Sequence, residues 1–438
     1  MNHRVIGVVG QGLMFQIASS WLSRTLSPFG AKIIGFETPV KDGPVVAEWG
    51  PGLHDFCAVT GLSLAGLMRE CQGNFCWGLR CNWFKRGALL PYGSYGLKSR
   101  QKEFEHGMLR MFSRFPERNP DEFSLAGSAA CLGRFALPMA QWSGWAHAMR
   151  SGVTLEAAQL ASLLHTFNQQ LGVVYLPVSD DSIPAEAHPQ VDFWLHIASV
   201  AGGSKSAESI EETLLPESCC GYSELHSQAG KTLKLAHTRR QTLQYGLRQG
   251  AQHQSGQGRY FRQFKRFSAS WTGNQLRLEL PLLTSLTSPF DTLIDWLQKL
   301  LELWPAQFAS HALAMSYRQY ADTYIAEAED FEQTLFGKQS LQRQLFLRCG
   351  RLLQRETGAV SDAQWFALLM GMGDLPQRSS VVLEATDDES LFPVMEEIAR
   401  RIRCVVSGMP EHREFVSRFC NAGVPLNIHA LGNASQGA

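Results

Sequence analysis

The sequence predicts a doubly wound α/β body followed by a largely helical end. Three observations carry this: a strand–turn–helix–strand pattern over the first forty residues, strands interleaved with helices through the middle, and helical apolar spacing from Leu293 onward.

Val5–Val9 is a short β-branched run suited to a buried parallel strand. Gly10-Gln11-Gly12 gives a tight turn, and Leu13–Leu26 continues with helical spacing at Leu13, Ile17, Trp21 and Leu22. Pro28 and Gly30 end that helix, and Ala31–Phe36 reads as a second strand closed by Glu37. Residues 38–52 are rich in Pro and Gly and read as a loop. Leu53–Glu70 reads as mainly helical, Phe75–Trp83 as a strand, and Leu89–Gly96 as a loop. A long helix is predicted over Thr154–Gln170, with strands at Val173–Val178 and Val191–Ile197. Residues 202–258 are the least regular part, and Tyr260–Trp271 with Gln275–Leu280 form a hairpin around Thr272-Gly273-Asn274. These readings divide the chain into an α/β body over 1–292, with an irregular insertion at about 202–258, and a helical subdomain over 293–438.

The chain has 438 residues, 45% hydrophobic and 18% charged, enough apolar content for a sizeable core. Lys+Arg and Asp+Glu both count 40, so no global field favours nucleic acid or an anionic membrane. Ten cysteines without a C-x-x-C pair read as reduced thiols of a cytoplasmic protein, with no metal site. The apolar run at residues 5–22 is broken by Gly10-Gln11-Gly12 and lacks a cleavage site, so it is not read as a signal peptide. No apolar stretch reaches the roughly twenty residues a membrane span needs. Between Leu225 and Leu278 there is no acidic residue, while basic and aromatic residues accumulate. Such a stretch can bind anions or nucleic acid. With a neutral total charge, a strand with one solvated face and one core face accounts for it better. Asp180-Asp181 reads as a turn, and the histidines show no ligand-pair spacing.

A dinucleotide-binding turn needs small residues at G-x-G-x-x-G, for the turn itself, for backbone approach to a pyrophosphate, and for close helix–strand packing. Gly10 and Gly12 fill the first two positions, and Phe15 occupies the third. A benzyl group there is expected to push the helix away or to turn out of the seam. Glu37 stands where a carboxylate would accept hydrogen bonds from an adenosine ribose. The candidate cofactor-binding set is therefore Gly10, Gly12, Leu13, Met14 and Glu37. On its own this signal is weak, because glycine-rich strand-to-helix turns are common without a ligand.

Later segments add specificity. Arg69-Glu70-Cys71 before a strand, Pro91-Tyr92-Gly93, Gly256-Gln257-Gly258 before an aromatic run, and Ser288 opening a helix occur in order along the chain. Near the C-terminus come Trp365, Gly371-Met372-Gly373, Pro376, and Met409-Pro410-Glu411-His412 with Phe415 and Cys420. Together they resemble the landmarks of the flavin-dependent tryptophan halogenases. The resemblance implies a flavin-monooxygenase-like fold with a Rossmann-type FAD-binding body. It also implies reduced FAD delivered by a separate flavin reductase, a small aromatic ligand, and a homodimer or a heteromer with a related active protein. In that family a lysine guides the halogen electrophile and a glutamate helps orient it.

The sequence departs from the family at both positions. Cys76 matches the lysine and Thr287 the glutamate, and neither supplies the charge. The W-x-W-x-I-P signature is replaced by Tyr245-Gly246-Leu247-Arg248-Gln249-Gly250, and the small residues that let flavin approach by the bulkier Leu278–Leu282. With Phe15, five departures occur together. They point to a relative that does not halogenate and acts as a ligand-binding or partner subunit, and they put FAD binding in question. The alternative is a working flavin-dependent monooxygenase or halogenase fed by a reductase. Cys76 would be nucleophilic only beside a cation; a buried inert thiol is the commoner state.

Overall fold

A β-branched strand buried on both faces belongs in the middle of a parallel sheet, and β1 (Val5–Gly10) lies there. It pairs in parallel with β2 (Lys32–Glu37) on one side and β9 (Phe193–Val200) on the other. The full order is β14 (Ser268–Thr272), β15 (Gln275–Pro281), β9, β1, β2, β8 (Val174–Pro177), with β14 alone antiparallel. The computed structural model describes residues 4–39, 46–96, 101–178, 188–200, 211–215, 221–228, 231–239, 242–247, 267–281, 288–304, 310–352, 357–377 and 387–422.

A three-stranded sheet and a second six-stranded sheet accompany this one. β3 (Val46–Trp49) and β4 (Asn74–Cys76) pair antiparallel on either side of β7 (Gly152–Glu156). The other sheet runs β10 (Glu211–Leu215), β13 (Thr242–Leu247), β12 (Lys231–His237), β11 (Ser223–Gln228), β5 (Gly78–Cys81), β6 (Leu89–Pro91). Helices α1 (Gly12–Leu26), α2 (Gly52–Thr60), α3 (Leu64–Glu70) and α6 (Ala157–Gln170) share one large core with the central sheet. A second core gathers α4 (Gln101–Arg114), Phe123 and the helical region around Phe331, Trp365 and Phe366, whereas α5 (Leu125–Cys131) lends Leu125, Ala126, Ala129 and Ala130 to the first.

From residue 289 the described chain is helical: α7 (Pro289–Glu302), α8 (His311–Leu335), α9 (Leu341–Cys349), α10 (Asp362–Met372), α11 (Asp388–Ser407) and α12 (His412–Cys420). α7 packs on α1 and α2, α8 along β14, α11 on α4 and α5, and α12 on α3. Ile402, Val406, Val416 and Cys420 enter the core of the central sheet. The Trp365…Gly373 landmark is α10 itself, capped by Ser361 with a Gln364 capping box and closed by Gly373 in the left-handed region.

Several local readings are corrected. The Pro- and Gly-rich segment 38–52 contains β3, whose pairing with β7 lies more than a hundred residues away in sequence. The first residues of the predicted 154–170 helix are the end of β7; Val153 and Leu155 alternate with Thr154, and the helix begins at Ala157. The 75–83 run is split: β4 and β5 belong to different sheets, and Trp77 between them bonds through its amide to the Gly221 carbonyl. Leu89–Pro91, read as loop, is strand β6. The insertion at 202–258 carries β10 to β13 in place of irregular chain. Helices α4 and α5 had no counterpart in the sequence reading.

Candidate functional site

The first candidate is the turn between β1 and α1. Gly12 has φ +61, and no described atom lies within 4 Å of where a Cβ would stand, so the backbone there is bare. No acidic residue occupies the first turn of α1, and the Gln11 side chain does not cap it. The amides at that end are thus oriented as donors to an anion. Gly10 is paired with Glu37 across the parallel ladder, which sets the carboxylate beside the turn at the strand ends. Leu13 and Met14 turn their side chains into the core, so only their backbone faces the turn.

Phe15 neither displaces the helix nor leaves the seam. It is fully buried, and the room comes from the strand: a Cβ on Gly35 in β2 would stand 3.0 Å from the Phe15 Cζ and 2.8 Å from Tyr175. The ring meets Tyr175 edge-on at 5.9 Å. Helix and sheet therefore pack closely with the small residue on the strand in place of the helix.

Beneath Glu37 lies a polar network absent from the sequence reading. Gln16, 2% exposed, donates through Nε2 to Glu37 Oε1 at 3.5 Å. Its Oε1 accepts from Tyr175 Oη at 2.7 Å and Asn168 Nδ2 at 2.9 Å. Asn168 in turn accepts from Ser20 at 2.7 Å. The only sequence sign was a run of polar residues on the helix face otherwise expected to be core.

The second candidate surrounds Cys76, at the end of β4. Its thiol is 5% exposed, donates to the Gly78 carbonyl at 3.1 Å, and lies 3.9 Å from Ser223 Oγ. Ser223 donates to Glu48 Oε1 at 2.7 Å, and Lys234 pairs with Glu48 Oε2 at 2.5 Å. Burial, reinforced by the Glu48 charge, pushes the Cys76 thiol up to about 11. It is neither an ammonium nor a thiolate at neutral pH. The nearby cation, Lys234, comes from the insertion and is turned to Glu48. Thr287 lies outside the described residues, as do Arg248–Gly250 of the replaced signature and Leu282 of the bulky segment. Leu278 and Leu280 are fully buried in β15.

The acid-free stretch divides the same way. Its residues 248–266 lie outside the described residues. Among those described, Lys234 holds Glu48, Arg239 donates to Gln72 Oε1 at 2.9 Å, and Arg277 meets Glu279 at 3.2 Å. These cations are engaged with the protein. Asp180-Asp181 also lies outside the described residues.

The third candidate was not found from sequence. A pocket of 180 Å³ is lined by Asp55, Tyr92, Arg150, Asp291, Asp295 and Tyr324, among others. Asp291 sits in the first turn of α7, and Asp295 one turn on, so both fall on one helix face. Two glycines make room for Asp291: a Cβ on Gly50 would collide with Oδ2, and one on Gly52 would stand 2.5 Å from Oδ1. Burial, with Asp295 nearby, raises the Asp291 carboxyl to about 8. Burial likewise raises Asp295 to about 6, against a hydrogen bond from Tyr324 at 3.3 Å. Tyr92 lies close enough to Cys76, Glu48 and Asp291 for all three to act on its phenol, joining the second and third candidates. The available signal was the i, i+4 pair of aspartates inside an apolar helical run.

Among the described residues no helix is long and apolar enough to cross a membrane, and no group of three or more potential ligands is placed to hold a metal.

A central parallel sheet with a bare glycine turn after its first strand and a carboxylate ending its second defines a Rossmann-type nucleotide-binding body with a helical region packed on it. Residues 5–189 match the family model for tryptophan halogenase. No curated protein sequence matches the chain. Its fold is that of the flavin-dependent halogenases. It is similar to one from Xanthomonas campestris (19% identity, 95% of this chain and 98% of that chain, TM-score 0.77). It is also similar to one from Brevundimonas sp. BAL3 (17% identity, 95% and 99%, TM-score 0.77) and to a tryptophan 6-halogenase from Streptomyces toxytricini (13% identity, 94% and 99%, TM-score 0.73).

Proposed function

We propose that this protein keeps the nucleotide-binding turn of the flavin-dependent halogenases but does not halogenate, and serves as a ligand-binding relative or partner of an active enzyme. The observation that carries the reading is the environment of Cys76. Where the family resemblance sets a lysine there is a buried, protonated thiol bonded to a backbone carbonyl. Such a group offers no positive charge to steer an electrophile, and hypohalite would oxidise it.

The residues of the turn suit FAD. Its pyrophosphate would be held by the amides following Gly10 and Gly12, with Leu13 and Met14 contributing backbone only, and its ribose by Glu37, which Gln16 braces. Bound flavin would supply redox chemistry; the chain's part is to bind and orient it. This geometry removes the sequence-based objection from Phe15, whose ring is accommodated by Gly35. It also supports the second reading, a flavin-dependent monooxygenase drawing reduced FAD from a separate reductase.

Two measurements test this. Purified protein supplied with reduced FAD, oxygen and bromide should yield no brominated tryptophan or indole; product formation would sink the non-halogenating reading. Oxidised FAD should quench on titration with a Kd below about 1 mM, and Gly12→Ala should weaken binding about tenfold or more while lowering stability by only ~1 kcal/mol. Equal FAD affinity in Gly12→Ala would remove the turn from the site.

A further inference from the structure

β14 is the outer strand of the central sheet and, among the described residues, pairs only with β15. The pairing runs one to one from Ser268 to Thr272 without a bulge, and the two-residue turn Gly273-Asn274, with Gly273 at φ +58, closes it. In such a hairpin the closing pair, Thr272 and Gln275, exchanges backbone bonds, and bonded pairs then alternate along the ladder. Ser270 and Ser268 therefore turn their amides and carbonyls to β15, and those of Ala269 and Trp271 point off the sheet. An edge with neither proline nor charge is a template for another strand. β14, Ser-Ala-Ser-Trp-Thr, has neither, whereas β8 at the opposite edge ends on Pro177.

A groove of 540 Å³ follows this edge. Residues 267–272 line it consecutively, so it views the strand edge-on; a groove over one face would meet every second residue. The other wall is α8, through Arg318, Asp322, Ile325 and Glu329. Met315, 58% exposed, continues the same stripe at helical spacing. α8 runs opposite to β14. Tyr317 meets the Trp271 ring at 5.6 Å, and Tyr324 reaches Phe267 through Trp296, whose ring lies 6.1 Å from each.

We infer that this edge and this stripe form an isologous interface with a second copy of the chain, β14 pairing antiparallel with its equivalent about a two-fold axis through Ser270. That axis sets Ala269 against Trp271 of the second copy. These are the residues whose backbone groups point outward, so donors meet acceptors in both directions. A strand rises about 3.3 Å per residue and a helix about 1.5 Å, so from the Trp271–Tyr317 contact the axis crosses α8 near Tyr320. Arg318 then stands beside Asp322 of the second copy, and Met315 beside its Ile325. Arg318 and Asp322 already pair within one chain at 3.6 Å, and two copies join them into a cluster of four alternating charges. The stripe is thus complementary to itself in charge and in apolar character. The inference goes beyond the proposed function and does not depend on whether flavin binds.

Sedimentation velocity of the full chain between about 1 and about 100 µM measures the association. The protein should sediment as a dimer at the upper end of that range. Arg318→Asp and Asp322→Arg should each raise the dimer Kd at least about tenfold, because each reversal sets like charges together on both sides of the axis. Both side chains are largely exposed, so far-UV circular dichroism should match the parent. The protein carrying both substitutions exchanges the charges and should recover the parent Kd within about threefold. Ser270→Lys, which places two ammonium groups at the axis, should leave monomer alone. A monomer throughout the range would overturn the inference, whether or not a foreign strand then enters the groove. So would a dimer that none of the single substitutions weakens, or a double substitution that restores nothing where both single ones dissociate the pair.

Discussion

His412 of α12 bonds through Nε2 to the carbonyl oxygen of Phe75, 3.0 Å away and 337 positions earlier in the chain. Phe75 immediately precedes Cys76, and its ring stacks on Phe135 at 4.5 Å. The same C-terminal landmark holds the 133–135 segment: the Phe135 amide donates to the Pro410 carbonyl, and the His412 amide to that of Gly133. The closing M-P-x-H segment therefore acts as a clamp on β4, the strand that presents position 76.

Removing that clamp should be costly. His412→Ala leaves a buried carbonyl unpaired and a cavity beside Phe135, and is expected to destabilise the fold by ~2–4 kcal/mol in denaturant titrations. A loss below ~0.5 kcal/mol would show that the bond is dispensable.

Acid should act through the same residue. Burial lowers His412 from 6.5 to about 4 when folded, with the Phe75 bond partly opposing this. The unfolded chain takes up its proton first as pH falls, so this contribution is constant above about pH 6.5 and is lost progressively down to about pH 4. The loss amounts to at most ~3 kcal/mol. His412→Gln, which retains a donor but does not titrate, should flatten that part of the stability profile.

Asp291 gives the opposite slope. Its folded carboxyl lies near 8 against 3.8 when unfolded, so stability falls as pH rises through that interval. Asp291→Asn should match the parent at acid pH and exceed it by ~1–3 kcal/mol at pH 8, measured by thermal unfolding. An unaltered pH profile would mean that Asp291 is ionised in the native protein.

Cys76 should be chemically silent. Native protein treated with iodoacetamide at neutral pH should be labelled at the exposed Cys131 and Cys404 and not at Cys76, as read by peptide mass spectrometry. Labelling of Cys76 at a rate comparable to Cys404 would contradict its burial.

Phe15 separates packing from cofactor access. Phe15→Gly would restore the glycine pattern on the helix but leave a cavity against Gly35, costing ~3–5 kcal/mol. FAD affinity should be unchanged within about twofold. A marked gain in affinity would show that the ring obstructs the site.

The sequence by itself determined what neighbouring residues decide: the Gly10–Gly12 turn with Glu37 after it, the strand β1 and helix α1 around it, the hairpin at Thr272-Gly273-Asn274, and the helical end. Turn chemistry and apolar periodicity are local, so they survive in one dimension. Only the tertiary structure decided what depends on distant partners. Gly35 makes the seam for Phe15, and Glu48 gathers Ser223 and Lys234 beside Cys76. β3 and β7 form only because they find each other, and Gly50 and Gly52 admit Asp291 beneath their backbone. The physical reason is the same in each case: a side chain's charge, burial and room are set by residues brought to it by folding.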